Sequence, residues 1–175
     1  MIPLDKNIWK KFEEVELTHS SVHHLMAIYD LRKTQGYARS VDVANYLNIS
    51  MGSTSITLHK LEDKGLILKE NKKFLSLSDE AHELINEIIS VRKALKLFYC
   101  DVLKLPEELA EEEACKSEHL LNRKTAETLI SFIGYLLSDD PASKMFRERF
   151  GTFIYKCNPE TGCEFCEEEC FFACD

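Results

Sequence analysis

The sequence is poor in the features that several protein classes require. No apolar run reaches the roughly 18 to 20 residues of a membrane-spanning helix, so no membrane partner is expected. The opening residues MIPLDKNIWKKFEEVE contain no apolar stretch of the secretory type, and the expectation is a cytoplasmic protein. Glycine is scarce, with six residues in 175, and none builds a phosphate-cradling loop. There is no Ser/His/Asp arrangement, no readable pair of acid and base carboxylates and no α/β alternation, so an enzyme is not expected. Internal repeats and low-complexity linkers are also missing.

Positive charge is in deficit. The chain carries a formal −8, and the deficit is lopsided: residues 1–80 hold 11 Lys/Arg against 11 Asp/Glu, residues 81–175 hold 11 against 19. Affinity for nucleic acid comes from basic side chains meeting phosphates, so only the neutral first half suits that partner. Cysteine is plentiful and uneven. Seven occur, at 100, 115, 157, 163, 166, 170 and 174, five of them in the last nineteen residues. An odd number crowded at one end of a protein from a reducing compartment points to metal or cluster ligation before disulfides.

The periodicity predicts a mainly α protein. SSVHHLMAIYDLRKTQ, from Ser20 to Gln35, has a helical apolar stripe and stops at Gly36. In SVDVANYLNIS, Ser40 is placed to cap a short helix with Val43, Ala44 and Leu47 apolar. SMGSTSITLHKLEDKG follows with Ile56, Leu58 and Leu61 apolar and Gly65 at its end. Two short helices joined by a tight turn form a helix-turn-helix. Leu66–Lys69 and Phe74–Leu77 then read as two strands around the polar turn Glu70-Asn71-Lys72-Lys73, a β-hairpin wing. From Ser78 an apolar pattern continues for about seven turns, a helix long enough to join two domains. Pro106 is placed to begin the next helix, and Asn122 to cap another that ends at Ser138-Asp-Asp-Pro141. Residues 1–78 are thus expected to form a winged helix-turn-helix domain, 79–140 a helical domain, and 141–175 a cysteine-rich tail. Cys100 is expected to be an ordinary buried residue of the long helix.

Within EEEACKSEHLL, Cys115, Glu118 and His119 stand at i, i+3 and i+4, one face of a helix, where thiolate, carboxylate and imidazole converge. Such a mixed set suits Fe, Co, Ni or Zn and is poor for Mg or Ca. On spacing alone the competing reading, a small core cysteine beside a solvated Glu/His pair, stands equally well. The order of HHLMAIYDL, GYARSVDVANYLNIS, SITLHKLEDKGLI, FLSLSDEAHEL, FYCDVLKLP and ACKSEHLL resembles the metal-dependent regulators of the diphtheria toxin repressor and iron-dependent repressor family over residues 19–137. The resemblance implies a winged helix-turn-helix DNA-binding domain followed by a helical metal-binding and dimerisation domain. It also implies a homodimer on a double-stranded DNA operator, regulated by a divalent metal, Fe2+ or Mn2+. The implied ligands are Cys115, Glu118 and His119, with His23 from the first helix at a position where the family usually has methionine or aspartate. Where the family supplies ligands for a second site, this chain has Arg92 and Lys96, which bind no cation, so one conventional site per protomer is expected.

The candidate DNA contacts are Ser50, Gly52, Ser53, Thr54, Ser55, Thr57 and Lys60 of the second helix-turn-helix helix, with Arg39, Lys72 and Lys73 from the turn and wing. Small hydroxyls and helix N-terminal amides suit phosphate more than base edges. Cys157, Cys163, Cys166, Cys170 and Cys174 meet the ligand count for an iron–sulfur cluster or a structural Zn2+. A reduced thiol tail without metal is the third reading. The alternative function is accordingly a winged-helix regulator whose only metal sits in that tail.

Overall fold

The computed structural model describes residues 17–155. Among them the order is α1 (His19–Gln35), α2 (Ser40–Leu47), α3 (Met51–Asp63), β1 (Ile67–Glu70), β2 (Phe74–Leu77), α4 (Asp79–Leu97), a π-helical turn (Phe98–Val102), α5 (Glu107–Ser117), α6 (Arg123–Leu137) and α7 (Pro141–Thr152). The protein is mainly helical, a winged helix-turn-helix followed by a helical unit.

Local chemistry sets most boundaries. Thr18 caps α1, its hydroxyl accepting the Ser21 N–H at 3.2 Å, so the helix begins at His19 and not at Ser20. Gly36 ends it at φ 84°, a conformation open to glycine at little cost. The expected Ser40 cap on α2 is not used. Arg39 holds the cap position, and Asp42 reaches back to accept from its backbone N–H at 3.0 Å and from its guanidinium at 2.7 and 2.8 Å. The hairpin pairs Ile67 with Leu77 and Glu70 with Phe74. Its first strand starts one residue later than the sequence suggests, because the Leu66 N–H closes the end of α3 on the Leu61 carbonyl at 2.9 Å. Asn71 and Lys72 take positive φ, 51° and 58°, as a tight hairpin turn requires.

Helix α4 is the spine. Ala81, Ile85 and Ile88 belong to the core built by Leu25, Ile28 and Leu31 of α1, Leu58 and Leu61 of α3, and Leu75 of β2. One turn later, Val91 and Leu95 join Ala114 of α5 and Ala126 of α6 in a second, smaller core. The boundary between the two cores therefore falls inside one continuous helix. The π turn completes the long helical stretch and leaves Cys100 only partly buried, contrary to expectation. On α3 the pattern also differs from expectation: Ile56 is 61% exposed, and Thr54 is fully buried with its hydroxyl donating to the Ser50 carbonyl at 3.0 Å.

Truncating the shared core tests this arrangement. Ile85→Ala should cost about 2–5 kcal/mol, read as a lower urea midpoint by circular dichroism. A loss below about 1 kcal/mol would show that α4 is not packed as described.

Candidate metal centre and nucleic-acid face

The first turn of α1 and the last turn of α5 meet above the spine. Cys115 Sγ lies 3.3 Å from His23 Nε2, joining residues 92 apart in sequence. His19, one turn before His23, completes a group with it: one donor atom each from His19, His23 and Cys115 lie within 4.8 Å of one another. The His19 ring is 4.3 Å from that of His23 and 4.9 Å from that of His119, centroid to centroid. Sequence reasoning singled out His23, Cys115, Glu118 and His119, and overlooked His19. The signal was the H-x3-H spacing at the helix start, which puts both imidazoles on one face.

Glu118 and His119 follow immediately after α5, with Glu118 still in helical conformation as its C-cap. Glu118 is 1% exposed, and neither of its carboxylate oxygens has a hydrogen-bond partner among the described residues; nor does the buried Nδ1 of His119. The closest cation to Glu118 is Arg92, at 3.6 Å. A buried carboxylate without hydrogen bonds is costly, and a cation at this point would offset the cost. The donors present, imidazole, thiolate and carboxylate, fit a divalent transition metal.

Burial favours the uncharged form of each donor, so a cation would displace protons from Glu118 and Cys115 on binding. Burial pushes the Glu118 carboxyl up from 4.5 to about 7, against the opposing pull of Arg92. Burial likewise raises the Cys115 thiol. It lowers His23, helped by His19, and lowers His119, so both rings favour the neutral, ligating form. Arg92 itself forks onto Glu111 Oε1 at 2.9 and 2.6 Å, and Lys96 holds Glu107 and Glu111 at 3.0 Å each. Fixed cations and their carboxylates thus fill the region where the resemblance implies a second site. His24, beside His23, is buried in the core, its Nδ1 donating to the Ser20 carbonyl at 2.6 Å.

The other face belongs to α3 and the hairpin. Gly52, Ser53 and Lys60 are exposed on α3, Ser55 and Thr57 half-buried, and Ser50 caps the helix by accepting from the Ser53 N–H at 3.2 Å. Thr54 is removed from this surface by its burial. Arg39 is engaged by Asp42, and Lys69 forms an ion pair with Glu62. Lys72 and Lys73 stand exposed at the hairpin tip, Lys73 5.6 Å above the Phe74 ring. Ile56, taken from the sequence as a core residue, is exposed on α3. The five cysteines of the tail, 157, 163, 166, 170 and 174, lie outside the described residues.

The sequence matches two family descriptions in succession. These are the iron dependent repressor N-terminal DNA binding domain over residues 16–75 and the iron dependent repressor metal binding and dimerisation domain over residues 78–146. An uncharacterised HTH-type transcriptional regulator of Methanocaldococcus jannaschii is 30% identical over 95 residues, 54% of this chain and 76% of that protein. The iron-dependent repressor IdeR of Mycobacterium tuberculosis is 25% identical over 118 residues, 67% of this chain and 51% of its own length. The chain thus spans about half the length of that repressor. The structure of the manganese regulator SloR shares the fold with a TM-score of 0.60 at 22% identity, covering 68% of this chain and 55% of that one.

Glu118 leaves a signature in the metal-free protein. Its folded pKa is raised, so in the window from 4.5 to about 7 the unfolded chain has released a proton that the folded chain keeps, and stability falls as pH rises. The lowered histidines act oppositely below 6.5, so the difference between variants isolates the carboxyl. Chelator-treated Glu118→Gln should gain stability relative to the parent as pH rises through this window, measured by thermal unfolding. A difference independent of pH would show that Glu118 is not buried as a neutral acid.

Proposed function

The chain belongs to the iron-dependent repressor family, and we propose that it is a homodimeric transcriptional regulator whose affinity for a double-stranded DNA operator is set by an intracellular divalent metal, iron being the first candidate. The observation that carries this reading is the 3.3 Å approach of His23 on α1 to Cys115 on α5, with buried Glu118 and half-buried His119 following on from the end of α5. A divalent cation, when bound, supplies a cross-link between those two helices.

The chain's own residues do the rest. Val22, Leu25 and Ile28 of α1 share a core with Leu58 and Leu61 of α3, so holding the first turn of α1 holds α3. Gly52, Ser53 and the capped start of α3 present amides and hydroxyls to phosphates, Lys60, Lys72 and Lys73 add charge, and Ile56 offers an apolar contact to a thymine methyl. Because the protein as a whole is anionic, DNA affinity depends on aligning two such faces at half-sites spaced by about one turn of DNA or a multiple. Phe132 and Tyr135 of α6 and Met145, Phe146 and Phe150 of α7 are exposed apolar residues on the second unit, and a second copy of the chain is the occupant we assign to them. By linkage, metal strengthens DNA binding only by the ratio of its affinities for the competent and incompetent states.

Two measurements test the reading. In a fluorescence anisotropy titration, Cys115→Ser should lose the metal-dependent gain in DNA affinity and keep its thermal unfolding profile without metal. An unchanged metal response would refute the site. Lys72→Ala and Lys73→Ala should each weaken binding similarly on different sequences and flatten the dependence of affinity on salt by about one unit of log–log slope. A parent protein with no salt dependence would remove DNA as the partner.

A further inference from the structure

We infer that His19 is a direct metal ligand, which makes the centre a nitrogen–sulfur site that discriminates against manganese(II). The inference rests on the proposal that metal binds between α1 and α5, and adds which atoms hold it and which ions it accepts. Among the described residues, the group of potential ligand atoms that comes together is His19, His23 and Cys115, not the set carried by sequence resemblance. Donors about 2.1 Å (nitrogen) and 2.3 Å (sulfur) from a tetrahedral ion stand about 3.5 Å from each other. The 3.3 Å separation of His23 Nε2 and Cys115 Sγ already matches that spacing.

His19 reaches the point from the same helix face, one turn before His23, and is exposed, so rotating its ring inward disturbs no core packing. The His119 ring lies 4.9 Å from that of His19, centroid to centroid, and its buried Nδ1 makes no hydrogen bond among the described residues, a further imidazole within reach of the group. Glu118, the oxygen donor, lies outside that group of converging atoms and faces Arg92 at 3.6 Å. The set nearest completion is therefore imidazoles plus one thiolate. Such donors favour Zn, Co, Ni and Fe(II), whereas Mn(II), lowest in the affinity order and best served by carboxylate and water, gains least.

Cobalt(II) is the probe, because its absorption reports geometry and thiolate ligation independently of DNA binding. The full-length chain is used with Cys157, Cys163, Cys166, Cys170 and Cys174 replaced by serine, so that any thiolate-to-cobalt band belongs to Cys100 or Cys115. His19→Ala should weaken Co(II) binding by at least about 10-fold, the loss that even an outer partner of a metal ligand causes, and diminish the visible bands. It should also narrow the preference for Co(II) over Mn(II) in competition. His19→Gly with added free imidazole should recover the bands, which no structural role of His19 would produce. Unchanged affinity and spectrum in His19→Ala, with the thiolate band lost in Cys115→Ser, would overturn the His19 inference and leave the α1–α5 site standing. A thiolate band that persists in Cys115→Ser would overturn both.

Discussion

One contact, between His23 at the start of α1 and Cys115 at the end of α5, ties a DNA-facing unit to a metal-facing one. These elements are far apart in sequence and are held at this distance by α4, which contributes Ile85 and Ile88 to one core and Val91 and Leu95 to the other. A helix packed on both sides transmits displacement because interiors are dense and repack in discrete steps. On the proposed reading, a small adjustment between α1 and α5 would reach α3 through the core that α1 and α3 share.

Charge divides along the same line. The acidic half of the chain contributes Cys115, Glu118 and His119 to the candidate site and the neutral half His19 and His23, and several carboxylates of the acidic half are already matched: Glu111 by Arg92 and Lys96, Glu107 by Lys96. Glu118 differs from these: it is buried with Arg92 at 3.6 Å and no hydrogen bond to either oxygen among the described residues. In the neutral half, Arg39 and Lys69 are engaged by Asp42 and Glu62, whereas Lys60 and the hairpin-tip Lys72 and Lys73 stand exposed. A modest supply of positive charge explains why two aligned copies and a metal would be needed for strong binding.

Much of this was legible in the sequence. Helix order, the hairpin and the long helix follow from caps, glycine stops and apolar period, because those signals are local. The errors were also local in origin but tertiary in cause. Ser40 was passed over as a cap because Asp42 caps through Arg39, and Ile56 and Thr54 exchanged places because α3 packs on α1 through a face that its short apolar pattern does not define. At the candidate metal centre, Cys115 and His23 were singled out with the help of resemblance, whereas His19 was not, because potential donors drawn from two helices meet only once both are placed.

Hydrogen–deuterium exchange on the full-length protein, with and without saturating metal, tests the central claim most directly, since it reads the proposed clamp without DNA. Slower exchange in the first turn of α1 and the last turn of α5 together, absent when Cys115 is replaced by serine, is the predicted result. Metal binding that leaves both turns unchanged, or protects only one of them, would contradict the account.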